Sequence, residues 1–317
     1  MDDLTAASAP SQPEPKRSAL SPGGAIGLIL LQSLVYGFGD PISKVAYETV
    51  PVYALLSARY LLALAVFLLF AGKRVIAGLK RCRVRDWLLP ALCISGAHLL
   101  GNVALELTAA TSVAFLRSLS TVMTPLLALA LFHRKYDRRH IPIQLAVVAG
   151  LYLLCGLGGL NRFGAGEIFS LLTALLLAGA LVLGQQSLFW VDPITLSAVQ
   201  TAVSAAMGTA CAFLFDGGLS GLSTATPKVW AVIVYLAVTC TVGGYLLQNA
   251  ALTAIPARTA ALAQCICPVM TALFSFFLLG ERLTLPGLAG AGVIVACVVA
   301  ECLLPETAPP PAETPAD

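Results

Sequence analysis

Ten long apolar segments are the feature that most constrains the fold of this chain. A helix that crosses a bilayer needs about 20 mostly apolar residues, and each segment is close to that length. We therefore predict an all-α membrane protein with ten transmembrane helices, in two inverted five-helix repeats for reasons given below. The predicted helices cover residues 24–45, 52–71, 87–107, 112–132, 141–157, 166–189, 194–215, 229–249, 259–279 and 285–302.

Composition indicates the same class of protein. Of the 317 residues, 58% are hydrophobic and 11% are charged, whereas soluble domains contain about a quarter charged residues. The formal net charge of +3 is too small to indicate a nucleic-acid partner, so the expected partners are membrane lipids and a small-molecule substrate. Most of the cysteines lie inside apolar segments and are interpreted as packing residues. Cys265 and Cys267 are too close together for a C-x-x-C signature, and neither a metal site nor a cofactor is predicted.

An internal duplication organises the chain. Residues 107–136 resemble residues 252–284, and a shift of about 147 places Arg117 on Gln264 and Thr121 on Pro268. A unit that recurs at half the chain length indicates two copies of one structural unit. The predicted division is a disordered cytoplasmic tail at 1–22, a first five-helix repeat at 23–158, a second at 159–304 and a second disordered cytoplasmic tail at 305–317.

Basic residues predict the orientation in the membrane. Lysine and arginine accumulate in short cytoplasmic loops, and here they cluster in two connections on the side of the N-terminal tail. These residues are Lys73, Arg74, Lys80, Arg81, Arg83 and Arg85 in the second-to-third connection and Arg134, Lys135, Arg138 and Arg139 in the fourth-to-fifth. Both termini are therefore expected in the cytoplasm. Because each repeat has an odd number of helices, the repeats must be inverted, with a substrate site near the bilayer midplane between them.

Two motifs carry a resemblance to a known family. The second half contains PVMTALFSFFLLGERLT, with Pro268 and Glu281, between a turn of small residues and a glycine-rich last helix. The first half contains YGFGDPISKVAYETVPVYALLSARY, with Lys44, Pro51 and Arg59. Over residues 24–302 the chain resembles the EamA-type ten-helix transporters of the drug/metabolite transporter superfamily.

The resemblance implies a function and also shows where the halves differ. It implies efflux of amino acids, related metabolites or drugs across the cytoplasmic membrane, without enzymatic activity. Its motifs mostly serve packing, so Pro268 and Glu281 are expected to be structural. The first half departs from the family pattern with His133-Arg134-Lys135 in place of Gly-Glu-Arg, which indicates that the repeats have diverged.

Ionisable residues within the helices are the main functional candidates. At a helix centre each costs about 2.5–3.5 kcal/mol, so such residues face a cavity or a partner. Asp40 and Arg117 lie in the outer thirds of their helices, and Arg59 lies in the outer half of its helix. Lys44 and Glu106 lie near outer helix ends. The neutral candidates near these charged residues are Tyr36, His98 and Asn102.

The corresponding inner half of the second repeat is polar but neutral. Aligning Val50-Pro51 with Asp192-Pro193 places Lys44 on Gln186, and the other shift places Arg117 on Gln264. We therefore predict a polar cavity that is charged toward the outside and lined by amides toward the inside. The amide residues on this side are Gln185, Gln186, Gln248, Asn249 and Gln264.

Structural roles compete with functional ones at several of these positions. Arg59 is expected to be structural, as an ion bridge between two helices. Lys44 and Glu106 are near enough to the interface to extend toward water, or else Glu106 takes part in ion coupling. The Asp40 carboxylate either caps the backbone loosened by Pro41 or forms, beside Arg117, a proton or substrate-anion switch.

The last helix of each repeat contains closely spaced glycines. Gly287 and Ala291 form a small-xxx-small pair on one helix face, and such faces allow close helix packing in membranes. We interpret these helices as packing elements or as the contact surface of a homodimer.

The leading functional hypothesis is a secondary transporter that works by alternating access. No G-x-x-x-x-G-K-[ST] loop is present, so direct drive by ATP is not expected. With Asp40 and Glu106 available, proton antiport is preferred over facilitated exchange. The alternative is a membrane-embedded lipid or isoprenoid transferase, which requires paired acid and base groups or metal ligands.

Overall fold

The computed structural model describes residues 20–132, 140–156, 164–280 and 284–303. In this part of the chain ten apolar helical segments follow one another, eight of them long enough to cross a membrane and two shorter. The predicted fold class is confirmed. The uninterrupted segments are α1 (Pro22–Tyr47), α2 (Val52–Leu79), α3 (Arg85–Leu107), α6 (Ala165–Ser187), α7 (Pro193–Phe215) and α10 (Leu285–Leu303). The segments built from several pieces are α4 (Ala110–Ser118 and Ser120–Phe132), α5 (Ile141–Leu151, then Tyr152–Gly156), α8 (Pro227–Tyr235, Leu236–Gly243 and Gly244–Leu252) and α9 (Ala257–Ala263 and Ile266–Leu279). Glu281 and the basic residues 133–139 lie outside the described residues.

Local sequence signals explain where several helices begin and end. Ser21 Oγ accepts a hydrogen bond from the Gly24 backbone N–H at 3.2 Å, so it caps the first turn of α1. The Asp192 carboxylate caps α7 in the same way, by accepting from Ile194 N at 3.2 Å. α9 ends at Gly280, whose φ of 67° lies in the left-handed region that glycine adopts without strain.

α2 is longer than predicted. It continues to Leu79, so Lys73 and Arg74 belong to the helix and not to the connection in which we expected them. Lysine and arginine are good helix formers, so the helix can continue through them beyond the apolar run. Arg74 also lies near the start of α7, with its Nε 3.4 Å from Asp192 Oδ1.

Helix packing follows the internal duplication. α1 packs against α8 and α9, and its counterpart α6 packs against their counterparts α3 and α4. In the same way, α3 packs against α7 and α8 packs against α2. The remaining main contacts join a helix to its own counterpart, namely α2 to α7, α4 to α9 and α5 to α10. A pseudo-two-fold relation between two five-helix units predicts this exchange of contacts.

α4 and α9 are interrupted at corresponding positions. The regular helix of α4 stops after Ser118 and resumes at Ser120, and that of α9 stops after Ala263 and resumes at Ile266. Arg117 and Gln264, paired by the sequence shift, therefore lie at the two breaks. Pro268 lies in the turn that follows the break in α9. It has no backbone N–H to donate to the Gln264 carbonyl, and this carbonyl instead accepts a hydrogen bond from Cys267 N at 2.9 Å.

Similar contacts hold the turn of small residues in each repeat. In the first repeat, Lys44 Nζ at the end of α1 donates to the Thr108 carbonyl at 2.8 Å. In the second, Gln185 at the end of α6 donates to the Ile255 carbonyl at 3.2 Å and accepts from Ala257 N at 3.2 Å. A helix end thus fixes the turn between two other helices of its own repeat. In the second repeat the contact is made by Gln185, the neighbour of the residue Gln186 that the sequence alignment placed on Lys44.

Glycines bring α5 and α10 together inside the chain. A Cβ on Gly290 would collide with the Gly150 carbonyl and lie 2.7 Å from Leu154 N. A Cβ on Gly287 would lie 3.4 Å from the Leu154 carbonyl. This small-residue face therefore packs against α5 of the same molecule, as the packing alternative in the sequence analysis expected.

Candidate functional site

A small cavity lies among helices of both repeats near the breaks in α4 and α9. Its volume is about 50 Å³. Each water needs roughly 10–15 Å³ of such a cavity, so there is room for a few waters and not for an organic solute. Its lining residues are Ser33, Tyr36, Ile94, His98, Arg117, Ser118, Ser120, Leu177, Gln248, Ala261, Gln264, Cys265 and Cys267.

Asp40 and Arg117 form an ion pair beside this cavity. Arg117 Nη2 donates to Asp40 Oδ2, and Nη1 lies 3.4 Å from Oδ1, so both ends of the guanidinium face the carboxylate. The side chains are only 18% and 15% exposed, respectively. A two-point arginine–carboxylate contact is strong and directional. The carboxylate thus pairs with a charged partner from α4, whereas the other alternative was a cap on the backbone at Pro41.

Cys267 belongs to the same cluster. Arg117 Nη2 lies 3.7 Å from Cys267 Sγ, and the thiol lines the cavity. From the sequence this cysteine is interpreted as a packing residue because it lies in an apolar segment. Its position one turn beyond Gln264, at the break in α9, is the signal that would have placed it near the site.

Three glutamines form a hydrogen-bonded cluster next to the ion pair. Gln248 Oε1 accepts from Gln32 Nε2 at 3.0 Å and from Gln264 Nε2 at 2.9 Å. Gln264 Nε2 also lies 3.1 Å from Gln32 Oε1. The cluster joins α1, α8 and α9, so it links the two repeats. Gln32 was not among the predicted residues, although Gln32, Tyr36 and Asp40 follow one another at four-residue spacing on one face of α1.

Replacing Gln248 with methionine is expected to lower both stability and transport. The change keeps the length of the side chain but removes one acceptor each from Gln32 Nε2 and Gln264 Nε2, whose other hydrogen bonds go to the Gly244 carbonyl and to Gln32 Oε1. A buried N–H that loses its acceptor costs about 1–3 kcal/mol. Thermal unfolding in detergent measures the first effect and solute counterflow measures the second. Leu246→Met, a nearby change on α8 that removes no polar group, is the control, and equal behaviour of the two variants would contradict a role for the cluster.

Two polar groups in the cavity wall have no hydrogen-bond partner among the described residues. They are Ser33 Oγ and His98 Nε2. The His98 ring lies between two aromatic rings, 6.1 Å from that of Tyr36 and 5.6 Å from that of Tyr245. Buried polar groups normally have partners, so these two groups in the cavity wall are exceptions.

Several predicted site residues lie away from this cavity. Asn102 accepts from Tyr47 Oη at 2.6 Å and donates to the His98 carbonyl at 2.6 Å. Asn249 donates to Ser197 Oγ at 2.9 Å and to Gln200 Oε1 at 2.8 Å. These two amides therefore contribute to helix–helix contacts.

Glu106 and Gln186 are also outside the lining. Glu106 is exposed at the end of α3, and Gln186 is partly buried at the end of α6. Neither side chain is among those that surround the cavity.

Arg59 is buried but does not form the predicted ion bridge. Its Nε donates to Thr241 Oγ1 at 2.8 Å, which connects α2 to the π-helical part of α8. No carboxylate oxygen of the described residues lies within 4.0 Å of its nitrogens. A neutral hydroxyl on α8 takes the place of the expected carboxylate because no acidic residue lies in the facing segment, Leu236–Gly243.

Comparison with known proteins shows the family. The model of the EamA-like transporter family matches the chain twice, over residues 23–156 and 164–300. The chain belongs to the EamA-like transporter family. The two matches correspond to the two five-helix units, α1–α5 and α6–α10. The family is part of the drug/metabolite transporter superfamily expected from the sequence.

Individual relatives of this EamA chain have transporter names. An "Uncharacterized transporter" of Archaeoglobus fulgidus is 28% identical over 266 residues, which cover 80% of this chain and 89% of that protein. "Solute carrier family 35 member E4" of Homo sapiens is 31% identical over 206 residues, 63% of this chain and 53% of that protein. One solved structure aligns with a TM-score of 0.71 at 18% identity, covering 88% of this chain and 96% of the other, and supports the fold.

These matches decide the general class of function. The family and the transporter names identify an integral membrane transporter and not an enzyme, so they disfavour the transferase hypothesis. Among the described residues no group of three or more His, Cys, Asp or Glu side chains is placed to hold a metal ion.

Proposed function

We propose that this protein is a secondary transporter that exports small polar organic solutes, such as amino acids or related metabolites, by alternating access. The observation that carries the proposal is the Asp40–Arg117 ion pair, which lies at the break in α4 and beside the glutamine cluster that joins the two repeats. Interrupted helices at a repeat interface are a common setting for substrate and coupling-ion sites in transporters.

The small volume of the cavity supports movement of the repeats. Helices of the first repeat supply Arg117 and His98, and helices of the second supply Gln248 and Gln264. Because the space holds only a few waters, a solute can enter only after helices of one repeat move away from those of the other. Movement of one repeat against the other opens such a site to one side at a time.

Asp40 is the proposed proton-coupling residue. As long as its carboxylate is ionised, it neutralises Arg117. The ammonium group of an amino acid can take the place of Arg117 at the ionised carboxylate, which leaves the guanidinium free for the carboxylate of the same solute. A proton on Asp40 removes the negative charge that holds the ammonium group, so proton and solute compete for one carboxylate, which is the arrangement that antiport requires.

Proteoliposomes provide the test of transport. The purified protein is reconstituted with a pH dye inside, a pH gradient is imposed, and labelled amino acids and cationic drugs are screened for counterflow. Solute movement that dissipates the pH gradient supports proton antiport, whereas solute movement without proton flux supports the facilitated-exchange alternative. Absence of solute movement across the whole screen would count against the proposed substrate classes.

Asp40→Asn is expected to remove the dependence of transport on pH. The asparagine keeps the shape of the side chain but cannot ionise. Over a pH range in which the wild-type transport rate changes about tenfold, which corresponds to about 1.4 kcal/mol, the rate of the variant should change less than about twofold. The measurement is counterflow at a series of equal internal and external pH values. Glu48→Gln, an exposed change just after α1, is the matched control, and an unchanged pH profile in Asp40→Asn rejects the proton role.

A further inference from the structure

We propose that Arg59 forms an anion-binding site next to the central cavity. The anion is either a carboxylate or phosphate group of the transported solute or a free inorganic anion that accompanies it. The inference deepens the proposed function, since an anion held at this depth would be part of the translocation pathway.

The charge of Arg59 has no acidic partner among the described residues. The residue is 5% exposed, and its one hydrogen bond in the described structure is donated by Nε to the neutral hydroxyl of Thr241. The guanidinium carbon also lies 5.2 Å from the centre of the Tyr60 ring. A hydroxyl and a ring face carry only partial charges, and an uncompensated buried charge is strongly unfavourable. The terminal nitrogens of Arg59 are therefore available to an anion.

The charges at one depth of the protein do not balance. Asp40, Arg59 and Arg117 each lie seven residues from the nearest helix end, or about 10 Å at 1.5 Å per residue. These ends lie on the same side of the protein, because Lys44 near the end of α1 contacts the turn between α3 and α4. Two cations and one carboxylate leave this layer with one uncompensated positive charge.

The surroundings of the guanidinium connect it to the cavity. Thr241, which accepts from Arg59, lies about one turn before Gly244 and Tyr245. Gly244 packs against Tyr36 and the Tyr245 ring against that of His98, and both Tyr36 and His98 line the cavity. Thr241, which orients the guanidinium, lies in a π-helical segment, a type of distortion that is frequent at functional sites.

A purely structural role explains these features less well. A structural arginine in a membrane normally pairs with a carboxylate or with backbone carbonyls. Arg59 has neither type of contact in the described structure, and the carboxylate at the same depth, Asp40, is already paired with Arg117. An anion from solution supplies the missing charge.

Anion-dependent thermal stability of the full chain in detergent tests the site without any need for transport. Sodium chloride and sodium succinate are titrated from low ionic strength, with neutral succinamide as the uncharged probe. We expect a saturable rise in Tm of at least about 2 °C with an anion in the wild type. The rise should be absent in Arg59→Gln and retained in Arg74→Gln, which removes the same charge from an exposed position of the same helix.

The outcomes separate the possible sources of the anion. A rise with chloride identifies a free inorganic anion, and a rise with succinate but not chloride identifies a solute carboxylate. If Arg59→Gln does not fold, Arg59→Lys replaces it, and we expect at least about tenfold weaker affinity because lysine lacks the two-point geometry of a guanidinium. A wild type without an anion-dependent rise, or a folded Arg59 variant with unchanged affinity, overturns the proposal.

This test fails independently of the proposed function. An anion effect that depends on Arg59 in a protein that moves no solute leaves the site in place and removes the transport proposal. Counterflow of neutral or cationic solutes by a protein without the anion effect does the reverse.

Discussion

Replacing Arg117 with alanine is expected to reduce transport at least about tenfold while leaving the protein inserted in the membrane. Removing one partner of a buried ion pair costs about 3–5 kcal/mol, and the lower end applies because both side chains keep some exposure. Arg117 is also the proposed partner of the anionic group of the solute, and losing 1.4 kcal/mol of that interaction in the rate-limiting step already corresponds to a factor of ten in rate. Counterflow in proteoliposomes measures transport, and the yield of protein extracted from the membrane fraction measures insertion.

A double variant separates the charge of the pair from its function. Asp40→Asn combined with Arg117→Gln removes both charges at once, so we expect it to recover most of the stability lost in Arg117→Ala and none of the transport. Arg74→Ala serves as the control for loss of an arginine at an exposed site. Wild-type transport in Arg117→Ala would exclude Arg117 from the pathway.

Gly37→Leu is expected to prevent close packing of α1 against α9. A Cβ at this position would collide with the Met270 side chain and lie 3.0 Å from Thr271 N in the backbone of α9. Backbone cannot yield as the end of a flexible side chain can, and overpacking costs about 1–3 kcal/mol or more. The expected result is a large drop in folded yield and in Tm, measured by size-exclusion chromatography and thermal unfolding.

Gly27 on the same helix provides the matched control. A Cβ there meets nothing within 4 Å, and the position is exposed. Gly27→Leu removes a residue that is about 1 kcal/mol less favourable than alanine in a helix, so its Tm should be unchanged or higher. Equal losses in both variants would show that the α1–α9 contact does not limit stability.

Much of the fold follows from local properties of the sequence. Ten apolar runs of membrane-spanning length predict ten helices because the bilayer sets the length that such a helix requires. The repeat was visible because Arg117 and Gln264 lie at equivalent places in two similar stretches. The greater length of α2 was not predicted, because the prediction followed the apolar run alone. Lys73 and Arg74 lie beyond that run and continue the helix into the polar region.

The site was less predictable because the position of a residue along a helix does not decide which neighbour it faces. Asn102 and Gln32 are both single amides within apolar helices, yet one contacts Tyr47 and the other the glutamine cluster. Lipid-facing and protein-facing sides of these helices are both apolar, so hydrophobic periodicity identifies neither. Cys267 was missed for the same reason.

The contacts at the two turns have a consequence for how the repeats can move. Lys44 holds the turn at Thr108 with one charged donor, whereas Gln185 holds its turn with two neutral hydrogen bonds, to the Ile255 carbonyl and from Ala257 N. Each of these contacts joins helices of a single repeat, so none of them has to break when one repeat shifts against the other. The three helices tied together at each turn should therefore travel as one body through the transport cycle.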